Sequence, residues 1–134
     1  MANEIHHNYT SGSTLYFCTF QQDGDVFLSD GASDETWGTG GRTAADYDMA
    51  MTEGGSSGHY VGTFDTSIAL GSYHIVVYLQ AGGSPANADL ALGQGEIYWD
   101  GTAEVTINTI NITNQTVTNV YDESTPPPVV VIYG

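Results

Sequence analysis

Residues 73–80 read Tyr73-His74-Ile75-Val76-Val77-Tyr78-Leu79-Gln80, and this stretch decides the fold class. Tyr73, Ile75, Val77 and Leu79 fall on one side of an extended chain; His74, Val76 and Tyr78 fall on the other. Side chains that alternate with a period of two belong to a strand. The dense β-branched and aromatic residues suit a pleated surface and lose rotamer freedom in a helix. Gly71-Ser72 before the stretch and Ala81-Gly82-Gly83-Ser84-Pro85-Ala86-Asn87 after it bound it with turn chemistry.

The pattern recurs outward in both directions. Residues 13–20 set Leu15, Phe17 and Thr19 against Tyr16, Cys18 and Phe20, which predicts a strand covered on both faces. Gln21-Gln22-Asp23-Gly24 then carries the Asp-Gly signal of a hairpin, and residues 25–29 return through Val26, Phe27 and Leu28. Residues 30–41 form a Gly-rich polar loop anchored by Trp37. Residues 46–53 alternate with Tyr47, Met49 and Met51 inward, and residues 59–64 place Tyr60, Gly62 and Phe64 on one face. In residues 89–99, Ile97 and Trp99 alternate against Glu96 and Tyr98. No segment holds an apolar period of 3.6 over three turns. Seven or eight short strands, with turn signals every ~8–12 residues, predict an all-β fold: a β-sandwich, Ig-like or jelly-roll-like, with an extended C-terminal arm.

Composition divides the chain further. Residues 1–105 are expected to form the sandwich domain. Residues 106–123 are rich in Thr and Asn and read two ways. Their β-branched content favours a strand, whereas Ile107, Ile110, Asn114, Val117 and Tyr121 fall on the 3-4-3-4 spacing of a short oligomerising helix. The apolar residues Ile107, Ile110, Val117 and Val120 are the candidate oligomer contacts here. In residues 124–134, Ser124-Thr125-Pro126-Pro127-Pro128 is an extended spacer, followed by Val129, Val130, Val131, Ile132 and Tyr133. So apolar a strand-former needs a partner: the edge of its own sheet, or a neighbouring subunit to which it adds a strand.

Charge narrows the function. The chain has 134 residues, with one Arg, no Lys and 16 Asp plus Glu, for a net charge of -15. Nucleic-acid binding relies on Lys and Arg displacing counterions from phosphates, and Arg42 alone cannot supply it. Anionic membrane surfaces are repelled as well, and no apolar run approaches the ~20 residues of a membrane-spanning helix. The opening MANEIHHNYT has neither a basic stretch nor an apolar one, so no secretory signal is expected. A single cysteine, Cys18, leaves no intrachain disulfide.

Residues that could carry chemistry are few. His6 and His7 lie near Glu4, but neighbours on a strand point to opposite faces, which argues against a shared metal. His59 and His74 are isolated in sequence. Asp23, Asp25, Asp30, Asp34 and Glu35 cluster without the spacing of a calcium loop. Cys18 has no basic neighbour and reads as a core residue. Gly54-Gly55-Ser56-Ser57-Gly58 fits G-x-S-x-G, but an all-β context offers no strand-to-helix turn for Ser56. The expectation is therefore no catalytic site, no metal and no cofactor: a structural or binding protein and not an enzyme.

Three segments carry a resemblance. They are Thr52-Glu53-Gly54-Gly55-Ser56-Ser57-Gly58-His59-Tyr60-Val61-Gly62-Thr63-Phe64; Gly71-Ser72-Tyr73 with Val76-Val77-Tyr78 and Gln80-Ala81-Gly82-Gly83-Ser84-Pro85; and Gly95-Glu96-Ile97-Tyr98-Trp99-Asp100-Gly101-Thr102. Together they resemble small β domains of tailed-bacteriophage virion proteins, over about residues 3–105. The resemblance implies a virion protein made in the host cytoplasm. It would be a homo-oligomer, with a trimer expected, that decorates or cements a capsid or anchors a fibre by contact with capsid or tail protein. It brings no catalytic residues. Two other roles stay open: a carbohydrate- or receptor-binding module using Trp37 and Trp99 as stacking faces, and a subunit of an extracellular filament.

Overall fold

The structure, a computed structural model, describes residues 3–105. They form β1 (Ile5–Asn8), β2 (Leu15–Phe20), β3 (Val26–Phe27), β4 (Asp34–Glu35), β5 (Met49–Glu53), β6 (His59–Gly62), β7 (Gly71–Leu79) and β8 (Leu90–Trp99), with two 3-10 turns at Thr39–Gly41 and Ala44–Asp46. Every strand pair is antiparallel. The result is an all-β, barrel-like sandwich that is nearly closed. None of the described helical turns is long and apolar enough to cross a membrane.

β2 is the hub. All six of its residues pair with β7, from Leu15↔Leu79 to Phe20↔His74. Along its other edge it pairs with β5 at Tyr16 and Phe17 and with β3 at Phe20. β5 divides its length: Met49 and Ala50 pair with β2, and Met51, Thr52 and Glu53 pair with β6. A strand that changes partners in this way makes the corner of a sandwich. Beyond it, β6 carries β1. The two outermost strands, β1 and β8, approach through side chains: a Cβ added to Gly93 would stand 2.9 Å from Cε1 of His7. A larger residue at 93 would have to displace the His7 ring.

The inner face of this sheet holds the main core. Leu15, Phe17, Ile75, Val77, Ile97 and Trp99 join Ile5, Tyr60, Phe64, Ile68 and Tyr73 there. Phe64 packs at a tilt against Trp99 at 4.6 Å between ring centroids, and the Trp99 indole N–H donates to the Ile68 carbonyl at 3.1 Å. Tyr73 points its hydroxyl back to the Ala69 carbonyl at 2.6 Å, a tyrosine corner of the kind found in β-sandwiches. Gly62 faces the ring of Phe17: a Cβ there would lie 2.6 Å from Cε1 of Phe17. The alternation Tyr60, Gly62, Phe64 therefore contains a glycine because an aromatic ring already fills the space.

The outer face of β2 and β7 is covered too, as residues 13–20 predicted. Tyr16, Cys18 and Val26 pack with Ala44 and Tyr47, flanked by Phe20, Leu28, Trp37 and Tyr78. The cover comes from the stretch between β4 and β5. Two expectations are corrected here. Tyr47 is not a strand residue lined up with Met49 and Met51; it closes the 3-10 turn Ala44–Asp46 and is buried in this outer cluster. The loop 30–41 is not wholly irregular, because Asp34 and Glu35 pair with Phe27 and Val26. The strand expected over residues 25–29 shortens to two residues.

The chain divides into the unit Met1–Glu104, which contains every described strand, and the unit Val105–Gly134. The expected oligomer contacts Ile107, Ile110, Val117 and Val120, and the arm Val129, Val130, Val131, Ile132 and Tyr133, lie outside the described residues.

Candidate functional site

Two surface features of the described domain can engage another molecule, and each follows from the sheet order. The first is the edge of β8. This ten-residue strand pairs with β7 along one side. Along the other side, among the described residues, it makes only the Trp99↔Glu104 bridge that closes the Asp100 turn. Gln94, Gly95 and Glu96 are exposed along it, and Leu90 at its start is 61 % exposed. An unpaired edge presents a row of backbone N–H and C=O groups ready to pair. A Cβ at Gly95 would meet nothing within 4 Å, whereas Gly93 is already met by His7 of β1, and Glu96 is the one carboxylate on the strand.

The second feature is a groove of about 280 Å³ lined by Tyr16, Phe20, Trp37, Tyr78, Ala86 and Asn87. Its floor is aromatic: Phe20 stacks on Trp37 at 6.1 Å and Tyr16 on Tyr78 at 5.4 Å. Polar staples hold its walls. The Tyr16 hydroxyl donates to Asp89 at 2.8 Å, and the Asn87 amide oxygen accepts from the Ala44 N–H at 2.9 Å. Partial burial would raise the Asp89 pKa, but hydrogen bonds from the Ala86 N–H, the Tyr16 hydroxyl and the Ala81 N–H outweigh it and hold the carboxyl below its ordinary value. Burial, and then the bond to Asp89, pushes the Tyr16 phenol well above the usual tyrosine range.

Behind Trp37, whose ring packs on Tyr47 at 4.6 Å, the loop is tied by the sequence's single Lys or Arg residue. Arg42 grips Glu35 with two hydrogen bonds, 2.6 Å from Nε and 3.0 Å from Nη2. The Tyr47 hydroxyl donates to the same carboxylate at 2.7 Å and accepts from the Gly38 N–H at 3.0 Å. The Arg42 guanidinium, and then the Tyr47 hydroxyl, holds the Glu35 carboxyl below its ordinary value. Arg42 thus closes its own loop.

The residues weighed for chemistry are placed as follows. Asp23 and Asp30 accept hydrogen bonds from the backbone N–H groups of Asp25 and Ala32, which are turn contacts. Among the described residues no group of three or more His, Cys, Asp or Glu converges as a metal cluster would. Cys18 is fully buried, and burial followed by the Asp48 charge pushes its thiol up to about 12. Ser56 sits in the hairpin loop between β5 and β6. Trp99 is 3 % exposed and offers no stacking face, so Trp37 alone of the two tryptophans reaches the surface.

One grouping escaped the sequence reading. His6 and His7 do point to opposite faces: His7 turns to Gly93, while His6 meets His59, with His6 Nδ1 3.0 Å from His59 Nε2. The signal that could have found this pair is the register of β1 on β6, which sets Asn8 opposite His59 and His6 opposite Val61. No family model matches the chain, and neither does any curated protein or solved structure.

Proposed function

We propose that this chain is a structural assembly module: a rigid β domain of a tailed-phage virion that self-associates and attaches to capsid or tail protein by strand addition. The observation that supports the strand-addition part is the ten-residue β8, whose outer edge forms no ladder among the described residues beyond the Trp99↔Glu104 bridge, is met by His7 of β1 at Gly93, and starts at exposed Leu90. Edges of this kind are normally shortened, charged or covered when they have nothing to bind. The virion setting rests on the sequence resemblance. A net charge of -15 keeps such a subunit soluble until a specific contact is made. The segment Val129, Val130, Val131, Ile132 and Tyr133 is the added strand that the sequence offers to a neighbouring copy.

Size-exclusion chromatography with light scattering tests this on the full chain and on a chain ending at Glu123. The expected result is a defined oligomer, a trimer first of all, and a truncated chain that remains folded by circular dichroism but is monomeric. Monomers in both cases, or a truncated chain that no longer folds, would overturn strand exchange through the C-terminal segment.

A second reading has its own observation, the Trp37 groove. Aromatic floors edged by amides and carboxylates bind sugar rings by stacking and hydrogen bonds. Quenching of tryptophan emission by a glycan, lost in Trp37→Ala, would favour this binding role over assembly.

A further inference from the structure

We propose that His6 and His59 form a two-histidine site for a borderline divalent transition-metal ion such as Zn²⁺ or Ni²⁺, held on the outer face of the β1–β6 pair. The inference is independent of the assembly reading. On antiparallel strands, residues two apart share a face, so His6 and Asn8 on β1 lie beside Val61 and His59 on β6. Both histidines are exposed at this surface, with ring centroids 5.1 Å apart.

Three details equip the pair to hold a metal. The first is the spacing. Two nitrogens bound to one metal at about 2.1 Å, at angles between square and tetrahedral, stand about 3.0–3.4 Å apart; His6 Nδ1 and His59 Nε2 are 3.0 Å apart. The second is the tautomer of His59. Its Nδ1 lies 2.6 Å from the Asn8 side-chain oxygen, which only accepts, so Nδ1 carries the hydrogen and Nε2 keeps a lone pair aimed at His6. A carbonyl oxygen that fixes the far nitrogen of a ligating histidine is the usual second partner of such sites. The third is His6. With its hydrogen on Nδ1 it donates to His59; with its hydrogen on Nε2, facing water, it presents a second lone pair to the same point. Exchange between these neutral forms converts a hydrogen bond into a chelating pair with no net change of charge on the ring. Water, or a side chain from another molecule, completes the coordination, and the acidic surface raises the local cation concentration.

The test is isothermal titration calorimetry of the full, untagged chain with Zn²⁺ and then Ni²⁺, at neutral pH in a non-coordinating buffer. The expected result is one site of micromolar affinity, weakened by more than tenfold in His6→Ala and in His59→Ala and by about tenfold in Asn8→Ala, where only positioning is lost. His7→Ala and His74→Ala leave it unchanged. Circular dichroism of each variant confirms that the fold persists. Binding that survives both His6→Ala and His59→Ala is unspecific attraction to the acidic surface and overturns the proposal. Binding that depends on His6 and His7 but not on His59 belongs to the N-terminal peptide alone and overturns it as well, as does the absence of heat at millimolar metal.

Discussion

The two faces of β2 are built by different chemistry. Its inner face, Leu15 and Phe17, sits in a large core of aliphatic and aromatic side chains drawn from both layers. Its outer face, Tyr16 and Cys18, is covered by the stretch between β4 and β5, which is held by Tyr47 and Arg42 to Glu35 and by Ala44 to Asn87, while Tyr16 itself bonds Asp89. Burial of apolar area dominates the first face. Directional bonds, each of modest net worth, position the second. The inner face therefore holds the larger buried core, and the outer face a second, smaller one tied in place by hydrogen bonds.

The sharpest way to break this contrast is on the inner face. Phe17→Ala should cost about 3–5 kcal/mol in chemical denaturation, the range for a fully buried aromatic side chain that leaves a cavity. A cost under about 1 kcal/mol would mean that the core is far looser than its packing indicates. Gly62→Val is expected next, at about 1–3 kcal/mol, because the new side chain must displace the Phe17 ring. Rescue of Gly62→Val by a smaller residue at 17 would sharpen the point, since the two changes act on one space.

Outer-face effects should be smaller. Tyr47→Phe keeps the buried ring and removes one hydroxyl, so a loss of about 1 kcal/mol is expected, read as a small fall in Tm. A loss as large as that of Phe17→Ala would refute the division between the faces. The smallest effect is electrostatic. Glu35 has a folded pKa below its unfolded one, so its contribution is present above the ordinary carboxylate value and disappears as pH falls through the folded value. The wild-type Tm should therefore exceed that of Glu35→Gln at pH 7 and converge with it only once pH has fallen through the folded value, below the ordinary carboxylate range. Asp48 acts in the opposite direction, because burial raises its pKa and acid relieves that penalty.

The inner face was legible in the sequence because it is a local property. Alternation in residues 73–80 set Tyr73, Ile75, Val77 and Leu79 on one side, the side that the structure buries at Tyr73, Ile75 and Val77 and half-buries at Leu79, and the same rule correctly buried Trp99. It failed at Tyr47, where a 3-10 turn runs into a strand and a buried tyrosine happens to keep the phase of the alternation. The short β4 left no signal, since two residues cannot show a period. The His6–His59 pair and the Trp37 groove were illegible for another reason: they join segments tens of residues apart, and only strand register and loop path bring those together. The seam between β1 and β8, where His7 lies against Gly93, is of the same kind.

Arg42 is the only residue in the whole sequence after which trypsin can cut, and it is locked to Glu35 in the loop over the outer face. Digestion of the folded protein thus reduces to one scission at one place. When opening and closing are fast relative to cleavage, its rate reads the fraction of time the loop stands away from β2. The molecule carries a built-in clock for that single motion, and Glu35→Gln should make it run faster.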